Sequence, residues 1–574
     1  MAAIAGNNRY TLIAMMAILL FSIFIFSPHT VYITNIEQFT VPLATVLKLC
    51  LIPVLAGLLI FYPVAKFIPL TVTGRISVML ATLSIMVWFQ GNVLLWKYGI
   101  LDGSGIVWSD YRWRGWIDSG LWISAIFLAA TLNEKTGILI TRIAVFIFTL
   151  QLITASCTTF QYRESIRKDN TNNSLRELTE IFSFSDDRNI LHIVVDGFQS
   201  DVFDELVSHE TRYRNSFQGF VYYRETLGAF PYTSFALPAF LAGKLYTNQL
   251  PKNTYIDSIF RGDTIISVAK KEGYEIDIAT GGGYLTNRYS NLPYDHLYNL
   301  SNIAGADAYL EESAEAMDLG LFRSTPHLLK KYIYNDQQWR LSRHTLAEDF
   351  FQFAYFPHTY FLNKFSLEMQ AGRKSPVYKY LHIMNTHNPM VVDRDCKYTG
   401  KPERMDRKTL TIQSRCTLDT LARFFDRMKE LGIYDNTLIV IHGDHGGWVP
   451  NYRQGPPVVL RTGNKAPEAL FSLASPLLAI KKPHDKAVFR VSEVYASLLD
   501  IPDTITDIMN WDADFNYRSL EMAQPGDKRT RTFRFYFWQS DEWETEYASP
   551  IHEFSVVGSH YETTWVPGEI YNPP

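Results

Sequence analysis

Apolar residues are concentrated in the first quarter of the chain, in runs long enough to cross a membrane. Residues 10–26 (YTLIAMMAILLFSIFIF) carry no charge and would make about 26 Å of helix, against a hydrocarbon core of ~30 Å. Similar runs cover residues 46–69, 76–95, 117–132 and 137–154. We therefore expect a bundle of about five transmembrane helices over residues 1–160, with four or six spans as alternatives because the fourth run is short. A cleaved signal peptide is disfavoured, since no A-x-A-like site follows the first run.

The basic residues around these runs predict an orientation. With a cytoplasmic N-terminus, the inner side carries a group of cations: Arg9, Lys66, Arg75, Lys135 and Arg142. This bias favours a multi-pass protein of the cytoplasmic (inner) membrane, with residues after about 160 on the extracytoplasmic or periplasmic side. Residues 108–118 mix Trp, Tyr and Arg, which is typical of an interfacial segment and equally of an exposed loop.

After a polar linker at residues 161–187, apolar runs alternate with amphipathic ones. Strands are predicted at residues 190–195, 219–223, 275–279, 378–384, 437–442 and 476–480. A long helix is predicted over residues 416–432, and shorter helices at 201–208, 265–272 and 491–499. This alternation predicts one α/β domain over residues 188–505, with a mostly parallel central sheet flanked by helices. The aromatic-rich residues 506–574 are expected to form a small C-terminal antiparallel subdomain packed on it.

Composition narrows the class of protein. The 574 residues carry a net charge of -4, which argues against nucleic acid as a partner. Four cysteines exclude a disulfide-built scaffold. Cys396 and Cys416 both lie in the predicted external domain, where a disulfide between them can persist if their distance allows it.

Three short motifs place reactive side chains at the ends of predicted elements. Asp196 follows the first strand of the α/β domain, and Asp444 and His445 follow the fifth. Thr233 and Ser234 stand at the start of a predicted helix. Taken singly, each motif is explained by a structural role, as a turn residue, a loop or a helix N-cap. Together they supply two carboxylates, an imidazole and a hydroxyl, which suit a divalent cation such as Zn²⁺ or Mn²⁺.

In their order along the chain, Asp196, the segment TSFALPAFLAGK and the segment TLIVIHGDHG resemble the alkaline-phosphatase/sulfatase superfamily. Within it, five membrane spans followed by an external domain resemble the architecture of the membrane phosphoethanolamine and phosphoglycerol transferases, including lipoteichoic acid synthase. The resemblance covers roughly residues 188–505 and implies an alkaline-phosphatase-like fold.

The resemblance implies metal ligands at Asp196, Thr233, Asp444 and His445, with Thr233 also as the catalytic nucleophile and the adjacent Ser234 as the alternative nucleophile. Those transferases commonly have Glu where this chain has Asp196. The sulfatase motif Cys-x-Pro-x-Arg is missing, so sulfate ester hydrolysis is disfavoured. His442 and His484 are available for a second metal, with structural roles as the alternative.

Two further segments resemble these transferases. In NTHNP, His387 matches a catalytic residue that binds the substrate phosphate or protonates the leaving group, with a structural histidine in a turn as the alternative. In GGGYLTNRY, Asn287 and Arg288 match a substrate-binding pair, although Thr286 stands where the family has Trp.

The expected function is a metal-dependent transfer of phosphoethanolamine or phosphoglycerol through a phospho-threonine intermediate. The implied partners are a phospholipid donor in the membrane and an envelope glycan or lipid acceptor, with no nucleic acid. A phosphodiesterase or phosphatase that uses water as the acceptor is the first alternative. The second is a non-catalytic membrane scaffold.

Overall fold

The computed structural model describes residues 2–36, 39, 41–98, 101, 106–131, 133–163, 166, 180–281, 283–300, 308–334, 339–342, 357–453, 455–463, 465–539 and 545–574. Internal contacts divide the chain into two units. The first comprises Met1–Asn172 and Gly305–Phe351, and the second comprises Asn173–Ala304 and Gln352–Pro574. The predicted linker at residues 161–187 lies mostly outside the described residues, and the domain boundaries drawn from the sequence stay predictions.

Helices in both units are numbered in chain order. They are α1 Ala2–Phe21, α2 Ser27–Thr34, α3 Leu43–Phe67, α4 Leu70–Asn92, α5 Arg112–Thr131, α6 Glu134–Gln161, α7 Ser200–His209, α8 Thr211–Ser216, α9 Thr233–Ala242, α10 Lys252–Phe260, α11 Ile265–Lys271, α12 Gly283–Tyr289, α13 Ala308–Ser324, α14 His327–Tyr334, α15 Pro357–Glu368, α16 Arg407–Glu430, α17 Leu470–Leu473 and α18 Ile501–Met509.

In the first unit, four described helices are long and apolar enough to cross a membrane. They are Arg9–Thr34, Leu43–Phe67, Leu70–Asn92 and Lys135–Gln161. The first of these joins α1 to α2 through a π-helical turn, Ser22–Phe26. Helices α13 and α14 belong to the same unit, and α13 packs against α2 and α3.

The fourth predicted span forms a helix, α5, but it is not among the four that meet the length and composition of a membrane span. Its N-terminal half carries Arg112, Arg114 and Asp118. Helix α5 packs against α4, and Asp118 is fully buried there. The expectation of about five spans is therefore corrected to four clear ones, because charged residues lower the apolar character of the fifth helix.

The second unit holds the strands. They are β1 Ser183–Ser185, β2 Asn189–Val195, β3 Phe220–Tyr223, β4 Glu275–Thr280, β5 His296–Asn299, β6 Gln370–Arg373, β7 Val377–Ile383, β8 Met390–Val392, β9 Tyr398–Glu403, β10 Thr437–His442, β11 Leu478–Lys481, β12 Arg490–Ser492, β13 Thr530–Phe535, β14 Ile551–Val557 and β15 Val566–Tyr571.

Within the described part, eight strands form a central sheet in the order β12-β3-β11-β10-β2-β7-β4-β5. Only β11 pairs antiparallel with its neighbours, so the predicted mostly parallel sheet is confirmed. Alternate residues of β2 enter different cores: Ile190 and Val194 pack on one face, and Leu191 and Ile193 on the other. Both faces are therefore covered, as a parallel sheet requires.

The C-terminal region has its own sheet, and one short helix predicted before it is absent. Strands β13, β14 and β15 form the expected antiparallel sheet. The helix predicted at residues 491–499 is wrong: strand β12 pairs with β3, and a 3₁₀ turn, Leu498–Asp500, follows. A short apolar run fits either a strand or a helix, and here pairing with the edge of the sheet decides.

The disulfide considered between Cys396 and Cys416 is present, with Cα atoms 5.5 Å apart. It connects the segment between β8 and β9 to α16. The pairing closes a loop across a separation of 20 residues within the second unit.

Replacing both cysteines by serine is expected to lower the free energy of unfolding of the full-length protein by about 3 kcal/mol. The reason is that the unfolded chain regains the entropy that the closed loop removes. Thermal unfolding with and without dithiothreitol measures the effect. The reductant should lower the wild-type midpoint to that of the double variant and leave the midpoint of the variant unchanged. Equal midpoints for wild type and variant in the absence of reductant would contradict the prediction.

Candidate metal and nucleophile site

Strand β2 ends in a buried carboxylate at the edge where the parallel strands finish. Asp196 follows Val195 directly, and its N–H donates to Ile383 O of the neighbouring strand β7 at 2.8 Å. Gly197 has a φ of +67°, which lets the chain turn away at once without a steric penalty. The Gly197 N–H then donates to Asp444 Oδ1 at 3.1 Å. The turn after β2 therefore holds both predicted carboxylates together.

Thr233 is the first residue of α9, and its hydroxyl faces these carboxylates. Thr233 Oγ1 lies 3.3 Å from Asp196 Oδ2 and 3.4 Å from His445 Nε2. His445 Nε2 lies 3.7 Å from Asp196 Oδ1 and 3.5 Å from Asp444 Oδ2. Four ligand atoms around one tetrahedral Zn²⁺ with bonds of ~2.0–2.1 Å are about 3.4 Å apart. The separations of Thr233 and His445 from the carboxylate oxygens are close to this value, so these side chains suit ligands of one divalent cation, and the ligand set itself stays a prediction.

The hydrogen bonding of the cluster supports the same fit. Asp196 Oδ1, Asp444 Oδ2 and His382 Nε2 are buried and make no hydrogen bond within the part of the chain that the structure describes. Buried polar atoms are normally paired, and a bare carboxylate oxygen is costly in the interior. A cation between these atoms would satisfy all three.

His382 is a site residue that the sequence reasoning missed. It lies near the end of β7, and its Nε2 is 3.4 Å from Asp196 Oδ2. Ligand atoms of Asp196, His382 and Asp444 all lie within 4.8 Å of one another. His382 and His445 thus approach the same pair of carboxylates. One feature of the sequence could have identified His382 as a site residue: it lies near the carboxyl end of a predicted strand, five residues before His387.

Charge within the cluster shifts its titration. Burial by itself raises the pKa of Asp196, but His387, His382 and His445 outweigh it and hold that pKa below its ordinary value. For His445, burial lowers the pKa, but the negative charges of Asp444 and Asp196 raise it by more than burial lowers it. The net pKa of His445 is therefore raised. Each group therefore favours its charged form because the opposite charge is close.

The segment NTHNP closes one side of the cluster. Thr386 Oγ1 donates to the backbone carbonyl of Asp196 at 2.6 Å, which ties the segment to the end of β2. His387 Nδ1 lies 2.7 Å from Asn388 O, so Nε2 is the nitrogen left for a substrate. Asn385 Nδ2 donates to Thr359 Oγ1 at 2.6 Å, near the start of α15. His387 lies near enough to Asp196 to lower the pKa of that carboxylate, and its catalytic role stays a prediction.

His358, on the first turn of α15, is a second histidine that the sequence reasoning missed. Its ring is buried, and Nδ1 has no hydrogen-bond partner among the described residues. Burial, with His382 and His387 nearby, lowers the pKa of His358 to about 3, and Asp196 opposes this shift. The ring lies directly over Gly281, where a Cβ would overlap it. Gly281 therefore makes the room that the His358 ring occupies.

Gly281→Ala is expected to displace the His358 ring and to lower the free energy of unfolding by about 1–3 kcal/mol, the usual cost of overpacking. Thermal unfolding of the full-length protein measures it. Adding His358→Ala should restore most of the loss, because the overlapping ring is then gone. Equal stability of Gly281→Ala and wild type would contradict this packing.

The predicted substrate-binding pair lies on α12. Arg288 is buried, and its guanidinium contacts Asn253 Oδ1 at 2.5 Å and Asp257 Oδ1 at 3.7 Å, both on α10. The side chain of Asn287 lies outside what the structure describes. The role of both residues in substrate binding stays a prediction.

The two histidines considered for a second metal lie elsewhere. His442 Nε2 is 2.8 Å from His192 Nε2 in the core, and burial lowers the pKa of His442 to about 3. His484 is exposed after β11, the strand that runs against the others. Residues that follow an antiparallel strand lie at the opposite edge of the sheet from Asp196. The geometry therefore gives neither a place in the cluster.

Comparison with known proteins identifies the family. The sulfatase family model matches residues 188–511, more than half of the chain, so this protein belongs to the sulfatase family. It is an enzyme of the alkaline-phosphatase/sulfatase superfamily, as the three motifs implied.

Curated relatives include lipoteichoic acid synthases. That of Staphylococcus saprophyticus is 30% identical over 153 residues, which cover 26% of this chain and 23% of the relative. That of Staphylococcus aureus strain USA300 is 30% identical over 152 residues, with the same shares covered. The alignment thus spans less than a quarter of the length of these relatives.

Solved structures give weaker likenesses. The lipoteichoic acid synthase LtaP from Listeria monocytogenes aligns with a TM-score of 0.38 and 11% identity, over 67% of this chain and 86% of that one. The C-terminal periplasmic domain of EcEptC from Escherichia coli aligns with a TM-score of 0.35 and 12% identity, over 60% of this chain and 89% of that one. Phosphonate monoester hydrolase SpPMH from Silicibacter pomeroyi aligns with a TM-score of 0.38 and 16% identity, over 67% of this chain and 89% of that one. At these TM-scores the likenesses carry no conclusion of their own.

Proposed function

We propose that this protein is a metal-dependent membrane transferase, which moves phosphoethanolamine or phosphoglycerol from a phospholipid to an envelope glycan or lipid. The observation that carries the proposal is the Thr233 hydroxyl, held within 3.4 Å of both Asp196 and His445. A hydroxyl in that position is a nucleophile beside a cation site, which suits covalent catalysis at phosphorus.

The metal would be held by Asp196, Thr233, Asp444 and His445, with His382 beside them. Mixed oxygen and nitrogen ligands suit Zn²⁺ or Mn²⁺. When bound, such an ion lowers the pKa of a nearby hydroxyl and neutralises charge on a phosphoryl group. The roles of the chain's own residues follow from their positions.

In the first step, Thr233 Oγ1 attacks the phosphorus of the donor lipid and loses its proton to water, because the lowered pKa of Asp196 makes this carboxylate a weak base. The bond from phosphorus to the glycerol oxygen breaks, and His387 Nε2 supplies the proton that this oxygen takes. Diacylglycerol leaves, and the head-group phosphate remains esterified to Thr233. In the second step, an acceptor hydroxyl attacks the same phosphorus, the bond from phosphorus to Thr233 Oγ1 breaks, and Oγ1 takes up a proton from water. His387 now takes the proton that the acceptor loses.

The expected location is the cytoplasmic membrane, with the second unit on its extracytoplasmic side. Four apolar helices, the predicted excess of basic residues on the inner side and the disulfide support this placement. A membrane anchor also suits a lipid donor, because it confines enzyme and donor to one surface.

The test uses the full-length protein in liposomes with phospholipids labelled in the head group, together with an envelope lipid and glycan extract. Transfer predicts diacylglycerol and an equal amount of label in the acceptor fraction. Label found only in water-soluble products would instead establish the hydrolase. Absence of diacylglycerol with every phospholipid tested would reject both reactions.

A further inference from the structure

The membrane unit has a surface cavity that the proposed reaction does not use. Its volume is about 230 Å³, and its lining residues are Trp108, Ser109, Arg112, His327, Leu328 and Lys331. They come from the 3₁₀ turn Trp108–Tyr111, the start of α5 and the first turns of α14. All belong to the same unit. The cavity thus lies at the end of the bundle where α4 ends and α5 begins.

A buried polar network fixes the floor of this cavity. Asp118 Oδ1 accepts the Trp96 Nε1–H at 2.7 Å, and Asp118 Oδ2 accepts the His327 N–H at 2.7 Å. His327 Nδ1 lies 2.7 Å from the Tyr98 hydroxyl. Gly115 permits the close approach of α14, since a Cβ there would lie 2.8 Å from His327 Cδ2. A floor fixed in this way loses little conformational freedom when a ligand binds.

The lining favours an anion. Arg112 and Lys331 are both exposed at the cavity and bring two positive charges to it. Ser109 adds a hydroxyl, which donates to Asp110 Oδ1 at 3.1 Å. None of the six described lining residues is acidic. A guanidinium and an ammonium around one space bind phosphate oxygens through charge-assisted hydrogen bonds.

Apolar side chains are exposed on α5 and α14, the two helices that contribute to the lining of the cavity. On α14, Leu328, Leu329 and Tyr332 are 57%, 49% and 60% exposed, and on α5, Trp113 and Trp116 are 52% and 80% exposed. Exposed tryptophans and a short helix that combines apolar and basic residues are typical of a membrane–water interface. A free anion gains no favourable contact from exposed apolar side chains, whereas a phospholipid presents a phosphate and apolar chains together.

We propose that this cavity binds the phosphate of an anionic phospholipid. Arg112 and Lys331 contact the phosphate oxygens, and Trp108 and Leu328 contact the glycerol and the first acyl carbons. The site lies in the membrane unit and does not depend on which reaction the second unit catalyses.

The test is a lipid titration of the delipidated full-length protein in detergent, followed by native mass spectrometry. Phosphatidic acid is the probe because it has a phosphate but no head group to transfer. We expect it to bind at least tenfold more tightly than phosphatidylcholine with the same chains. The double variant R112A/K331A should bind it about 30-fold more weakly, from ~1 kcal/mol for each basic residue near a membrane surface. The variant R112K/K331R keeps both charges and should retain most of the affinity.

The matched control is R75A/K135A, which removes two exposed cations elsewhere on α4 and α6 and should leave the affinity unchanged. Equal loss in the control would show general surface attraction and overturn the proposal. So would wild-type affinity in R112A/K331A. Full competition by inorganic phosphate at the same concentration would make the cavity a site for the free anion. A thermal unfolding midpoint measured for each variant separates lost binding from lost structure.

Discussion

Replacing Thr233 by alanine is expected to lower the transfer rate by about 10⁴-fold or more, because the variant has no oxygen to form the covalent intermediate. The fold should survive, since the side chain is only partly buried and stands at the start of α9. The rate of diacylglycerol release in liposomes measures the effect. Loss of diacylglycerol release and of head-group transfer together would place Thr233 in the first step, which both products require.

Two neighbouring substitutions control this result. Thr233→Ser keeps a hydroxyl at the same position and should retain measurable transfer. Ser234→Ala removes the adjacent hydroxyl and should leave the rate near that of the wild type. The opposite pattern, with activity lost in Ser234→Ala and kept in Thr233→Ala, would identify Ser234 as the nucleophile and contradict the assignment to Thr233.

Replacing Asp444 by asparagine is expected to remove most of the bound metal and to lower the rate of transfer by about 10³-fold, with loss of a cation that stabilises transferring phosphoryl charge. Asparagine preserves the oxygen that accepts the Gly197 N–H, so the turn after β2 should remain intact. The fully buried carboxylate loses only its charge. Metal content by elemental analysis, beside the rate, measures the change directly.

Chelation separates a metal role from a structural one. Removing the ion should lower the thermal unfolding midpoint of the wild type, since a ligand at 100 times its Kd stabilises the folded state by about 2.7 kcal/mol. The same treatment should leave Asp444→Asn unchanged. Without metal, the variant should be the more stable protein, because Asp196 and Asp444 no longer repel each other at close range. Equal sensitivity of both proteins to the chelator would contradict the proposed ligand set.

Much of the α/β fold follows from local sequence. The strand predicted at residues 437–442 matches β10, and the ends of the other predicted strands lie within two residues of the observed ones. Buried runs bounded by turn residues are strong signals in a parallel sheet. Asp196, Asp444 and Thr233 then follow from element ends, because parallel strands bring their carboxyl ends to one edge.

The two missed histidines show where such reasoning stops. His382 lies inside a predicted strand, where alternation predicts burial without saying that a carboxylate from the next strand is 3.4 Å away. His358 comes from α15, and only the packed structure shows its ring over Gly281. Contacts between residues far apart in sequence depend on tertiary packing, which periodicity does not encode.

The membrane unit was predicted less completely for a related reason. The residues of α13 and α14 are polar enough to read as part of the external domain, yet they pack with the membrane helices. Likewise, charges on α5 interrupt its apolar run, although Asp118 is satisfied by hydrogen bonds from Trp96 and His327. A buried polar residue with partners costs little, and its partners are not visible in the sequence.

The central claim is that a lipid head group passes through Thr233, and the mass of the trapped protein tests it most directly. The full-length enzyme is mixed with phospholipid, quenched in acid before acceptor is added, digested and analysed by mass spectrometry. The account predicts that the peptide containing Thr233 gains the mass of phosphoethanolamine or phosphoglycerol, and that the adduct disappears when acceptor is present. An unmodified Thr233 peptide during active diacylglycerol release, or an adduct on another residue, would contradict it.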